Sequence, residues 1–150
     1  MKNIFLVLCI FSFGTMDAQK AKKLVFCSTR FTAPADCTAD SKESLKCTDY
    51  SMFWEYLDQD MIQLVNYKYL EILSKGFKNF KQESAACYLL HQKVDCYIVS
   101  YENNPGTDYL IIAYGKVNNE SVVFHLNSIR QIRTNADLPE FAKQIFQFME

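Results

Sequence analysis

Glycine and proline are scarce, at four and three in 150 residues. Collagen-like and low-complexity chains are thereby excluded, and a packed globular domain is the class that remains. Histidine is scarcer still, at two. These are His91 and His125, which leaves little for a serine or cysteine nucleophile that needs an imidazole base. No Gly-x-Ser-x-Gly elbow, phosphate-cradling glycine loop, EF-hand loop or His-Glu-x-x-His motif occurs. No Cys-x-x-Cys pair occurs either, which disfavours a zinc site. There is no basic excess: 16 Lys and Arg stand against 17 Asp and Glu, a net charge of −1. A nucleic-acid binder needs a basic footprint to release phosphate counterions, so that class is set aside. The sequence therefore points to no catalytic residues, no metal and no cofactor.

The first residues carry the clearest signal. Lys2 gives a positive start, residues 4–13 form an apolar run, and Gly14-Thr15-Met16-Asp17-Ala18 breaks it. That is the layout of a secretory signal peptide over residues 1–18, cut after Ala18. The run is roughly half the 20 or so apolar residues that a membrane span needs, so no stable anchor is expected after cleavage. Cys9 sits inside the run without small residues before it, which argues against lipidation. The expected working form is a single domain over residues 19–150, exported to the periplasm or secreted.

Export makes disulfides the default for the five cysteines beyond the signal, Cys27, Cys37, Cys47, Cys87 and Cys96. Cys37 and Cys47 bracket a polar stretch that a bridge would tie down, worth about 2–3 kcal/mol in the chain-entropy account. Cys87 and Cys96 would face each other across a hairpin turning at His91-Gln92, close enough for a second bridge. Cys27 is then left as a buried, slow thiol.

Lys23 to Thr29 reads as a first strand, and residues 31–44 read as loop. Between Tyr50 and Tyr56, Tyr50, Met52, Trp54 and Tyr56 alternate with other residues, which is the period of a half-buried strand. Asp58 and Asp60 suit a helix start, better as caps than as a glycosidase pair. Met61, Leu64, Val65, Tyr69, Ile72 and Leu73 recur at helical spacing up to the stop signal Lys75-Gly76. Their apolar face is expected to share one core with Trp54. Strands follow over 85–90, 94–101, 109–117 and 121–126, with turns at Asn103–Thr107 and Asn118–Glu120. Asp137-Leu138-Pro139 opens a terminal helix with Phe141, Ile145 and Phe148 inward. The expected class is α+β: a mostly antiparallel sheet of about five or six strands, packed by one long central helix and a C-terminal helix. This layout is similar to the PsbP-like fold in architecture alone, which implies no activity.

Charge is uneven along the chain. Asp36, Asp40, Glu43, Asp49, Glu55, Asp58 and Asp60 precede Lys68, Lys75, Lys78, Lys81 and Lys93, which suits an electrostatic face for a charged partner protein. The function expected from these features is a non-catalytic binding module acting on another protein, for instance a toxin-neutralising immunity or inhibitor protein. The alternatives are a small-molecule or lipid carrier, suggested by an aromatic content of 15%, and a small secreted hydrolase.

Overall fold

A computed structural model describes residues 22–58 and 62–150. The expected signal peptide and its cleavage site lie outside the described residues, as do Asp60 and Met61.

The chain opens with a two-stranded hairpin, β1 (Lys23–Phe26) and β2 (Thr29–Thr32). An eight-stranded antiparallel sheet takes most of the rest. Its members are β3 (Thr38–Ser41), β4 (Ser44–Lys46), β5 (Tyr50–Tyr56), β6 (Lys81–Leu89), β7 (Gln92–Asn103), β8 (Gly106–Val117), β9 (Glu120–Ser128) and β10 (Phe146–Phe148). Their order across the sheet is β10-β6-β7-β8-β9-β5-β4-β3. One helix, α1 (Ile62–Gly76), joins β5 to β6.

This is a mostly β architecture, and the expected α+β class with two covering helices is corrected. Ten strands form where five or six were expected, and α1 is the single α-helix among the described residues. The C-terminal segment forms a short 3-10 turn (Ala142–Gln144) and then the strand β10. Phe141, Ile145 and Phe148 are buried as expected, but Phe146 is buried too, so the ending alternates on the sheet period rather than following a helix. Asp137 does not start a helix there. Its carboxylate accepts the backbone N–H groups of Arg133 and Thr134, each at 2.9 Å, and those bonds hold its pKa below the usual value. The expected loop over 31–44 contains the end of β2, the whole of β3 and the first residue of β4.

Of the two-residue hairpin turns, three share one backbone conformation: Cys27-Ser28, Leu90-His91 and Asn118-Asn119. All six residues have positive φ, between 45° and 67°. That twist matches flanking strands, and asparagine tolerates it best. Only the Asn118-Asn119 turn is therefore evident from residue type.

Side chains alternate between two faces of the sheet. On one face Met52, Trp54, Cys87, Leu89, Val94, Cys96, Ile111, Ala113, Phe124 and Leu126 form the main core with Leu24 and Phe26 of the hairpin. Phe26 meets Trp54 edge-on with ring centres 5.2 Å apart, and the Trp54 indole N–H donates to the Val25 carbonyl at 3.0 Å. The other face carries a smaller cluster: Val99, Tyr101, Leu110, Ile112 and Val123 against Leu70 and Leu73 of α1. Trp54 and the helix thus belong to separate clusters on opposite faces, against the expected shared core. Ile72, expected to be inward, is 68% exposed, and Leu70 takes the buried position.

Candidate functional site

The cysteines separate into one bridge and three thiols. Cys37 and Cys47 form a disulfide next to the β3–β4 pairing, where Thr38 lies opposite Lys46. Cys27, Cys87 and Cys96 are buried thiols. The expected facing register of Cys87 and Cys96 is corrected: the hairpin turns at Leu90-His91, one residue earlier, so Cys87 lies opposite Val94 and Cys96 opposite Ala85. A one-residue displacement of the turn moves each partner by two, which keeps both cysteines on the core face but on a diagonal. A hydrogen bond with the Cys96 thiol, and then burial, push the Cys87 thiol well above its ordinary range. Burial, with the Glu120 charge adding to it, pushes Cys27 up to about 12. A nucleophile needs the thiolate, so these groups are poorly suited to catalysis.

Neither histidine gains a catalytic partner of the Ser-His or Cys-His kind. His91 occupies the exposed β6–β7 turn. His125 is buried on the helix face, stacked on Phe53 at 4.1 Å and met edge-on by Tyr69 at 5.4 Å. Its Nδ1 has no hydrogen-bond partner among the described residues, and burial lowers its pKa to about 4. Among the described residues no group of three or more His, Cys, Asp and Glu is placed to hold a metal, and no helix is long and apolar enough to cross a membrane.

The register instead assembles a site that no local motif marks. On the core face, Ala85, Cys96, Ala113, Phe124 and Trp54 are successive cross-strand partners, and the row is apolar. Two residues along, the row is Glu83, Ile98, Ile111, Leu126 and Met52. Two further, it is Lys81, Ser100, Tyr109, Ser128 and Tyr50, with a polar group on every member. The core ends at that row and a cleft begins. The segment 131–133 walls it, so that Lys81, Ser100, Tyr109, Gln131 and Arg133 line a cavity of about 530 Å³ together with Asn79, Glu102 and Thr107. The same five residues also line an adjoining hollow of about 230 Å³ that reaches Gln82, Glu83 and Ile98.

The charges in the cleft are unequally engaged. Glu102 accepts a hydrogen bond from the Asn79 amide at 2.9 Å. The ion pairs among the described residues are Lys75–Glu71, Arg130–Asp49 and Lys143–Glu140, so the side chains of Lys81 and Arg133 stand outside them. The arrangement presents two exposed cations, hydroxyl groups and an amide on a rigid sheet. It can hold a polar partner by hydrogen bonds and charge.

Beside the cleft, the outer edge of the sheet changes character along β6. The Leu90 N–H donates to the Ile145 carbonyl and the Ala86 carbonyl accepts from Met149, so even-numbered residues of this strand point their backbone groups outward. β10 closes that edge over Cys87, Tyr88 and Leu89. Gln82 and Ser84, facing the same way, have no backbone partner on that side among the described residues.

Compared with the models of known protein families and with curated proteins, the chain matches none.

Proposed function

We propose that this chain is an exported, single-domain binding module that acts by contact with another protein, and that the polar cleft with the open half of β6 is its contact surface. The observation that carries the reading is the abrupt change along three neighbouring strands. A packed apolar row gives way within four residues to a polar row of exposed Lys81 and half-buried Ser100 and Tyr109, beside the exposed side chain of Arg133, unpaired among the described residues. A rigid, polar, half-open surface of this kind suits recognition better than turnover. The Cys37–Cys47 bridge is compatible with an oxidising compartment. An immunity or inhibitor protein is one concrete form of such a module.

The carrier alternative rested on the aromatic content. Phe26, Trp54, Phe124 and Phe146 pack on one another in the main core, at centroid distances of 5.2 to 6.3 Å. Those rings fill space rather than line it, so this part of the aromatic content gives the carrier reading no support.

A photo-crosslinking amino acid at Gln131, in the cleft, is the test, with the same group at exposed Lys42 on the opposite edge of the sheet as the control. In the cells that make the protein, the Gln131 position is expected to yield one discrete adduct and the Lys42 position none. Adducts of equal yield from both positions, or from Lys42 alone, would rule out this surface. Intact mass of the same exported preparation checks the cut after Ala18.

A further inference from the structure

We propose that the partner enters the site as an extended segment, adding antiparallel to the open edge of β6 and placing one carboxylate between Lys81 and Arg133. This rests on the reading of the cleft as a contact surface and names the chemistry that the surface takes.

The backbone supplies the first half of the argument. β6 runs for nine residues, but β10 pairs only with its last three. Over the remaining residues the outward N–H and C=O groups of Gln82 and Ser84 are left without a backbone partner among the described residues. An unpaired strand edge is a template for another extended chain, and main-chain hydrogen bonds then give affinity. Every pairing in this sheet is antiparallel, including β10 on the same edge, so the added segment follows that direction.

The side chains supply the second half, because they set a register. Lys81, Glu83 and Ala85 share the core face of β6 by strand alternation. Arg133 comes over that face from the covering segment and lines the same hollow as Lys81 and Glu83. An added antiparallel strand therefore meets the Glu83 carboxylate first and the Lys81–Arg133 pair two residues later. Glu83 repels an acid at its own position and favours a base there. The complementary segment reads, from its N-terminus, base, spacer, acid. A run of consecutive acids fits less well, and so does the opposite order.

The experiment uses the 15N-labelled exported chain and two blocked hexapeptides of identical composition, one with Lys-Thr-Glu at its centre and one with Glu-Thr-Lys. The first is expected to shift the amide resonances of Gln82 and Ser84 saturably, and to bind more tightly than the second. Lys81→Gln and Arg133→Gln are each expected to weaken it about two- to five-fold, the range of an exposed charge pair. N-methylation of the peptide's central threonine, which removes a main-chain donor without touching the protein, is expected to abolish the shifts. Equal binding of the two peptides, a preference for the second, or shifts that avoid Gln82 and Ser84 would overturn the proposal. The outcome is separable from that of the crosslinking test. An adduct at Gln131 with no peptide preference would keep the contact surface and discard the extended acidic segment, whereas no adduct there would discard both.

Discussion

The strands β6, β7 and β8 are closed at one end and open at the other, and the proposed contact surface lies at the open one. At the closed end β10 pairs with β6, and Phe146 stacks on Phe124 with ring centres 6.0 Å apart and planes nearly parallel. There Gly115 lets neighbouring strands approach so closely that a Cβ on it would lie 2.8 Å from Val94 Cγ1. At the open end no strand among the described residues covers the edge, and the core-face row turns polar. The same backbone ladder serves both ends, so the difference comes from side chains and from where the C-terminal strand stops. On the proposed reading the closed end holds the fold together and the open end makes the contact.

The contrast fails first if the closed end proves unimportant. Phe124→Ala, at the centre of the packed row and fully buried, is expected to cost about 3–5 kcal/mol in a urea titration. A loss below about 1 kcal/mol would show that the row is not the load centre of the fold.

The two faces of the sheet sharpen it next. His125, on the thinner helix face, has its pKa lowered from 6.5 to about 4 by burial. The unfolded chain therefore takes up this proton before the folded chain does as pH falls. The contribution is fully present above pH 6.5 and is lost between there and pH 4, amounting to about 3 kcal/mol. Against His125→Phe, the wild-type chain is expected to lose that much extra stability between pH 7 and pH 4. Parallel stability curves for the two proteins would mean that the histidine is solvated in the folded state.

Selective reduction of Cys37–Cys47 comes third, with an expected loss of about 2–3 kcal/mol and an unchanged peptide response at Gln82 and Ser84. The bridge lies beside β3, at the opposite edge of the sheet from the cleft. A lost peptide response in a still-folded protein would tie the two edges together. Smallest of all, Ile72→Ala is expected to change stability by less than about 0.5 kcal/mol, because the side chain is 68% exposed. A cost of 2 kcal/mol or more would restore Ile72 to a core.

Part of this was legible in the sequence. The alternation of Met52 and Trp54 marks β5 correctly from Tyr50 to Tyr56, because those two side chains are buried while their neighbours along the strand are half-buried or exposed. Lys75-Gly76 marks the end of α1 for the usual reason of dipole and backbone freedom. The C-terminal segment misleads because Phe141, Ile145, Phe146 and Phe148 satisfy helical and strand spacing together, and only the available sheet edge decides between them. The turn at Leu90-His91 is also hidden, since neither residue is a favoured occupant of left-handed backbone. The Cys87–Cys96 register depends on that turn and shifts with it. The cleft is least legible of all. Lys81, Ser100 and Tyr109 are apart in sequence and meet only through pairing, and the polar start of β6 shows no period because side chains on both of its faces are exposed there.

Amide hydrogen exchange along β6, read residue by residue, tests the open edge most directly. Leu90, which donates to Ile145, and the inward-facing Glu83 and Ala85 are expected to be protected. Gln82 and Ser84 are expected to exchange close to the unprotected rate, and to become protected when the Lys-Thr-Glu peptide is added. Protection at Gln82 and Ser84 equal to that of Glu83 and Ala85 in the free protein would contradict the account, because the edge would then already be closed.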